Sequence, residues 1–200
     1  MVTLPADPEA VLRLREWLSG ELLEGIGVDF RGADLSGADL VAAELREANL
    51  SAVVLTGANL AAGQLWGADL TRADLTGACL RKAELDTGTA AHALLRGADL
   101  GKTSLFEVDL RGADLRGADL SFARIADCDL RLACLADTTC RSTHLGGRLD
   151  DSTDVTGMNG SVVGPAMVVD GGGERELAAE ALRAWLAERG ADVTVRAAGG

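Results

Sequence analysis

Leucine returns every five residues over more than half of this chain, and few folds tolerate that period. From residue 30 to 145 the register has 24 positions, and 20 of them are Leu. The exceptions are Phe30, Ala90, Ile125 and Cys140. A helix repeats every 3.6 residues and a strand every two, so a period of five belongs to neither. The residue two before each register position is equally restricted: fifteen of the 24 are Ala, and the rest are Gly, Val, Thr or Cys. Between the two stands Asp at ten sites and Asn at two more, and Gly is common two residues after the Leu. Ala33-Asp34-Leu35-Ser36-Gly37 and Ala113-Asp114-Leu115-Arg116-Gly117 state the pattern.

Two apolar positions separated by one polar residue describe a short extended segment, with its first and third side chains on one face. The remaining two residues must turn the chain, and Gly or a small polar residue suits a turn. Five residues then form one side of a coil, although the period alone does not fix how the coil closes. A single coil cannot bury its Leu, whereas stacked coils build a continuous apolar ladder. Aromatic residues are only 3% of the chain and Tyr is absent, so the interior must be filled by Leu and small residues. A large side chain at the small position would overpack it.

On these motifs the run Phe30–Leu145 resembles the pentapeptide-repeat proteins. That resemblance implies an all-β solenoid, a right-handed quadrilateral β-helix with four pentapeptides per turn and both apolar positions pointing inward. The 24 pentapeptides would make about six coils, a rod of roughly 29 Å at the ~4.8 Å spacing of paired strands. The domain plan is an N-terminal helical cap at 1–25, a repeat domain at 26–155 and a C-terminal cap at 156–200.

End coils leave open strand edges that invite aggregation, and both termini look built to cover them. Asp7-Pro8-Glu9 is a helix start, followed by Val11, Leu14, Leu18 and Leu22 with Trp17 nearby. Gly25 and Gly27 are expected to end that helix. After Leu145 the pattern decays: Asp150 falls where the register needs an apolar residue. Val162–Val169 is β-rich, Asp170-Gly171-Gly172-Gly173 is a turn, and 174–189 reads as an amphipathic helix before a short strand at Val193-Thr194-Val195. This tail is similar in plan to that of the mycobacterial fluoroquinolone-resistance members of the family, where it makes a tail-to-tail dimer. It implies a homodimer through Leu177, Ala181, Leu182, Trp185 and Leu186; a monomeric cap is the alternative.

No catalytic constellation is visible, and neither cofactor nor metal is called for. His92 and His144 fall on different sides of the coil; the stretch 86–94, whose register residue is Ala90, is expected to be loosened or bulged. Cys128, Cys134 and Cys140 are spaced too widely for a zinc pair. Cys128 and Cys140 are expected inside, Cys79 and Cys134 at the surface. The Asp residues are spread one per side, which reads as a solvated polar row rather than a calcium site. Gly171–Gly173 is read as a turn rather than an anion cradle. The net charge is −12, which argues against nucleic-acid binding. No membrane span or signal peptide is apparent, and four Cys do not make a disulfide scaffold; a reduced, cytoplasmic protein is expected.

Sorting by position modulo 20 separates four faces. The face through Leu45, Leu65, Leu85, Leu105, Ile125 and Leu145 carries Glu44, Glu47, Glu84, Asp86, Glu107 and Asp127 against Arg46 and Arg124. Trp66 and Phe106 lie on it two coils apart. Some members of the family resemble DNA in shape and charge and protect DNA gyrase from topoisomerase poisons. The resemblance therefore implies a non-enzymatic partner of a type II topoisomerase, with those eight residues as the contact. An unrelated protein partner for a structural scaffold is the alternative. Residues 26–150 hold 18 acids and 13 bases, too few for whole-rod mimicry of a duplex with one charge per ~1.7 Å.

Overall fold

A computed structural model describes residues 4–197. Residues 1–3 of the expected N-terminal cap, and Ala198-Gly199-Gly200 of the expected C-terminal one, lie outside that range. The chain winds into a β-helix whose parallel bridges connect each residue to the one 20 positions on. Four bridging positions occur per 20 residues, so the coil has four sides. One side runs Glu24, Glu44, Gln64, Glu84, Ser104, Arg124 and His144. Backbone bonds sew the coils together: the Leu35 N–H donates to Val54 O and the Gly37 N–H to Thr56 O, at 2.8 and 2.9 Å.

The register Leu side chains are buried throughout, together with nearly all the small residues two before them; Ala38 and Gly88 are partly exposed. Where the small position holds a hydroxyl or thiol, that group finds a backbone carbonyl, Thr138 that of Leu135 in its own turn and the others one coil back. Thr103, Thr143 and Thr153 Oγ1 donate to the carbonyls of Leu80, Leu120 and Leu130, and Cys128 Sγ to that of Leu105. Polar atoms at these inward positions thus enter the core with a partner for each donor.

Corners are four-residue turns, as where the Ala33 N–H donates to Phe30 O. Their third residue has positive φ, 66° at Gly37 and 58° at Ala42, which is why Gly recurs two after the Leu. The repeated Asp has a task that the sequence did not reveal. Its carboxylate accepts the backbone N–H two residues on: Asp69 from Thr71 at 2.9 Å, Asp119 from Ser121 at 2.9 Å. The Asp and Asn columns are Asx caps on the corners rather than a solvated row.

Helix α1 (Pro8–Leu18) starts as expected, with the Asp7 side chain accepting the Glu9 N–H, but stops earlier, at Ser19 and Gly20. Gly25 and Gly27 already belong to the first coil, where they donate to Glu44 O and Arg46 O. A side chain at Gly25 would collide with the Phe30 ring, which fills the base of the tube beneath Leu45. Ala10 and Leu14 are buried against this end, while Leu18 and Leu22 are exposed. The Trp17 indole N–H donates to Asp39 O at 3.1 Å, and Asp7 Oδ2 accepts the Asp29 N–H at 3.4 Å. Both backbone groups lack a coil below to pair with, so α1 supplies side-chain substitutes for a missing rung.

The stretch 86–94 is regular, contrary to the expected bulge: Thr89 bridges Asp69 and Asp109, and Ala90 is buried. Register slips occur later. Strands β1 (Ser104–Phe106), β2 (Arg124–Asp129) and β3 (Thr139–Asp150) pair in parallel, but between Ala126 and Asp129 the offset falls from 20 to 19. Leu149 therefore enters the core, and Asp150 no longer falls on an inward position.

Beyond Val155 the tail closes the stack. Strand β4 (Asn159–Gly164) pairs with β3, and β5 (Ala166–Asp170) pairs with β3 on the adjacent side. A cis Gly164–Pro165 bond separates them within the β-rich stretch. The expected helix begins later: β6 (Gly173–Leu177) folds back antiparallel on β5, and α2 covers only Ala179–Glu188. Strand β7 (Asp192–Ala197) lies parallel to β4 and forms the last rung on two sides. The ladder through Glu24 thereby continues to Val163 and Arg196, beyond a six-coil count.

Candidate protein-interaction face

The side through Leu45 to Leu145 brings the eight candidate residues onto one face, but not in one state. The Arg46 guanidinium binds Glu44 Oε2 at 3.0 Å and Gln64 Oε1 at 2.9 Å, and its centre sits 6.0 Å from the Trp66 ring. Glu44 is thus neutralised, and one face of Trp66 is taken by a cation. Trp66 is still 40% exposed. Asp86 is turned inward along the ladder: its Oδ1 accepts the Ser104 hydroxyl at 2.7 Å and the Phe106 N–H at 2.8 Å. Phe106 is half-buried.

Four acids remain. Glu47, Glu84, Glu107 and Asp127 are exposed and make no ion pair among the described residues. Three of them, Glu47, Glu107 and Asp127, occupy positive-φ corner positions with φ of 57°, 55° and 55°. Corner side chains stand off the flat of the coil, so these carboxylates line one edge of the rod. Glu107 and Asp127 are one coil apart, ~4.8 Å along the axis. On the rest of the rod several carboxylates are occupied, although Glu24 and Asp137, for example, are exposed without an ion pair among the described residues. Asp29, Asp109, Asp114 and Asp129 chelate Arg31, Arg111, Arg116 and Arg131 two residues on. Their carboxyls are held below the usual range by those guanidinium hydrogen bonds.

The tail residues expected at a dimer interface are mostly covered by their own chain. Leu177, Leu182, Trp185 and Leu186 are buried by their own chain, and Trp185 lies under the Arg189 guanidinium at 4.0 Å. Only Ala181 of the five is exposed. Helix α2 is therefore a lid on β4 and β7 rather than a ready apolar face.

His92 and His144 are exposed on different sides, and no cluster of three metal-ligating side chains occurs among the described residues. Burial pushes the Cys128 thiol up to about 12 and the Cys140 thiol to about 11, so neither is a thiolate at neutral pH. Cys79 and Cys134 are half-buried rather than fully at the surface. No helix among the described residues is long and apolar enough to cross a membrane. Phe122, 54% exposed on a corner, is a ring that the reading by faces passed over. An aromatic residue where corners favour Gly was its signal.

The Pentapeptide repeats family matches residues 26–60, 54–86 and 93–131, half of the chain, in eight copies. The chain belongs to the pentapeptide-repeat family. No curated protein matches this pentapeptide-repeat protein. Among solved structures it is similar to a trypsin-treated variant of QnrB1, a plasmid-mediated fluoroquinolone resistance protein. That match has 18% identity, covers 72% of each chain and has a TM-score of 0.59. It is also similar to HetL of Nostoc sp. strain PCC 7120, at 27% identity over 75% of this chain and 79% of that one, with a TM-score of 0.34. The QnrB1 likeness shows the fold.

Proposed function

We propose that this pentapeptide-repeat protein is a non-enzymatic binding protein whose acidic edge engages a type II topoisomerase, DNA gyrase foremost, and protects it from quinolone-type poisons. The observation that carries the proposal is the unpaired set Glu47, Glu84, Glu107 and Asp127 beside the exposed Trp66. Acids that are not spent on corners or Arg partners set a potential that steers toward a basic DNA-binding surface. An exposed ring next to them adds apolar area at low entropic cost. The fluoroquinolone resistance named for QnrB1 supports the choice of partner.

A supercoiling assay with purified gyrase and a quinolone tests it. The protein is expected to restore supercoiling in the presence of the drug. No effect on supercoiling, with or without drug, contradicts it. A second reading, a scaffold for a different protein partner, is favoured by the Asp columns, whose oxygens are spent on corner N–H groups and Arg side chains instead of being displayed as a phosphate-like lattice. We also retain a homodimer as part of the proposal, through the outer edge of β7 instead of the apolar face of α2. The Asp192 N–H points to Met158 O, just before β4, so alternation turns the Val193 and Val195 N–H groups outward.

A further inference from the structure

Eleven of the chain's 19 Lys and Arg are held in ion pairs with acids. Of the eight with no ion pair among the described residues, four lie along or beside one corner that carries an exposed ring. Lys82, Lys102 and Phe122 succeed one another along a single corner at positive φ, one coil apart. Lys102 Nζ lies 6.0 Å from the centre of the Phe122 ring. The Phe122 N–H donates to Arg141 O of the next coil at 2.8 Å, and Arg124 follows two residues along on the neighbouring side. All five side chains are exposed. Next to Phe122, Ser121 Oγ is the one buried side-chain oxygen among the described residues with no hydrogen-bond partner.

Nearby acids do not cancel this charge. Asp99 is bound to Arg81 at 3.2 Å and accepts the Gly101 N–H, and Asp119 accepts the Ser121 N–H. Glu84 is the one unpaired acid beside Lys82.

We propose that the corner formed by Lys82, Lys102, Phe122, Arg124 and Arg141 is a docking surface for an acidic, extended peptide segment of a partner protein. Two arguments choose this occupant. A ring 54% exposed amid cations fits a ligand that brings both carboxylates and an apolar side chain. A nucleic acid brings one charge per ~1.7 Å, and a chain of net charge −12 repels such density more than it repels a few spaced carboxylates. Spacing narrows the motif. Two coil steps separate Lys82 from Phe122, roughly 10 Å, which an extended chain at ~3.3 Å per residue spans in about three residues. The segment therefore carries an acid about three residues from an aromatic or aliphatic residue, with further acids beyond it for Arg124 and Arg141.

The surface borders the acidic face, with Arg124 and Glu84 on the flat side between the two corners, so variants on opposite corners, K102E/R141E and F122A here and E107Q/D127N there, keep the two readings distinguishable. The probe is a short fluorescein-labelled peptide with one Phe flanked by Glu at those spacings, read by anisotropy at low salt. A labelled oligo-dT of equal length runs in parallel. The peptide is expected to bind the full chain, and K102E/R141E to weaken it about tenfold or more. F122A is expected to weaken it too, while E107Q/D127N leaves it unchanged. Thermal unfolding checks that each variant is folded, and K102Q/R141Q replaces the reversal if it is not. Absence of peptide binding overturns the proposal, as does binding that ignores the Lys102, Arg141 and Phe122 changes. Equal or tighter oligo-dT binding overturns the peptide assignment.

Discussion

Replacing Asp114 separates two jobs that one carboxylate performs. Its side chain is 14% exposed and accepts the Arg116 N–H at 3.3 Å, capping a corner. It also binds Arg116 Nη2 and Arg96 Nε, each at 2.6 Å. Asp114→Asn keeps a carbonyl oxygen for the corner N–H and loses both ion pairs. The two Arg side chains are about half exposed, so solvent screening limits each pair to ~0.5 kcal/mol and the Asn variant to a loss of about 1 kcal/mol. Asp114→Ala also leaves the corner N–H uncapped, which adds about 1 kcal/mol by analogy with a lost helix N-cap. Urea unfolding followed by circular dichroism at pH 7 is therefore expected to rank wild type above Asn above Ala. The pH dependence has a definite sign. Hydrogen bonds from Arg116, then Arg96, hold the carboxyl below its ordinary value of about 3.9. Its contribution is complete above that ordinary value and is lost as pH falls toward the lowered folded value. The gap between wild type and Asn should thus be full at pH 7, begin to shrink near pH 4 and close only in stronger acid. Equal losses for Asn and Ala, or a gap that persists undiminished in strong acid, would refute the division into cap and ion pair.

Leu75→Ala and Leu115→Ala, at fully buried register positions, should each cost about 2–5 kcal/mol in the same urea experiment; losses near zero at both would remove the register from the core. Thiol labelling of the native protein should modify Cys79 and Cys134 well before Cys128 and Cys140, and the reverse order by mass spectrometry would contradict the placement of the inner thiols. Light scattering should find a dimer at micromolar concentration, and Val195→Pro, which removes an outward N–H of β7, should leave a folded monomer. A monomeric wild type would dispose of the dimer.

The five-residue register was legible because every inward side chain repeats it, and a buried ladder admits few substitutions. The corner glycines were legible for the same reason, since positive φ penalises most other residues. The role of Asp was not. A polar residue between two apolar ones reads as solvent-facing, and only the backbone shows that the N–H two residues on lies within reach of its carboxylate. The slip that brings in Leu149 showed in the sequence only as Asp150 at an apolar position, which reads as decay of the pattern rather than as a one-residue shift. The tail failed at its boundaries: Gly173–Leu177 is polar enough to pass for a helix start, yet it pairs with β5. On the candidate face, the modulo-20 sort brought the acids of one side together. It could not tell that Arg46 engages Glu44 and Trp66, or that Asp86 serves Phe106, because both depend on side-chain reach between coils.

Two triple variants test the topoisomerase account most directly. Glu84→Gln, Glu107→Gln and Asp127→Asn remove three charges from the unpaired set. Asp39→Asn, Asp99→Asn and Asp119→Asn remove three from the adjacent side while keeping an amide oxygen for the corner N–H groups that Asp99 and Asp119 cap and for the Asn59 amide N–H that Asp39 accepts. Gyrase binding by both is measured across a salt series, with thermal unfolding alongside. The account predicts that the first triple loses binding and most of its salt dependence, since exposed charges act within ~10 Å at 0.1 M, while the second binds nearly as wild type. Equal losses from the two would reduce the edge to general acidity, and unchanged binding by the first triple would contradict the assignment of the partner surface.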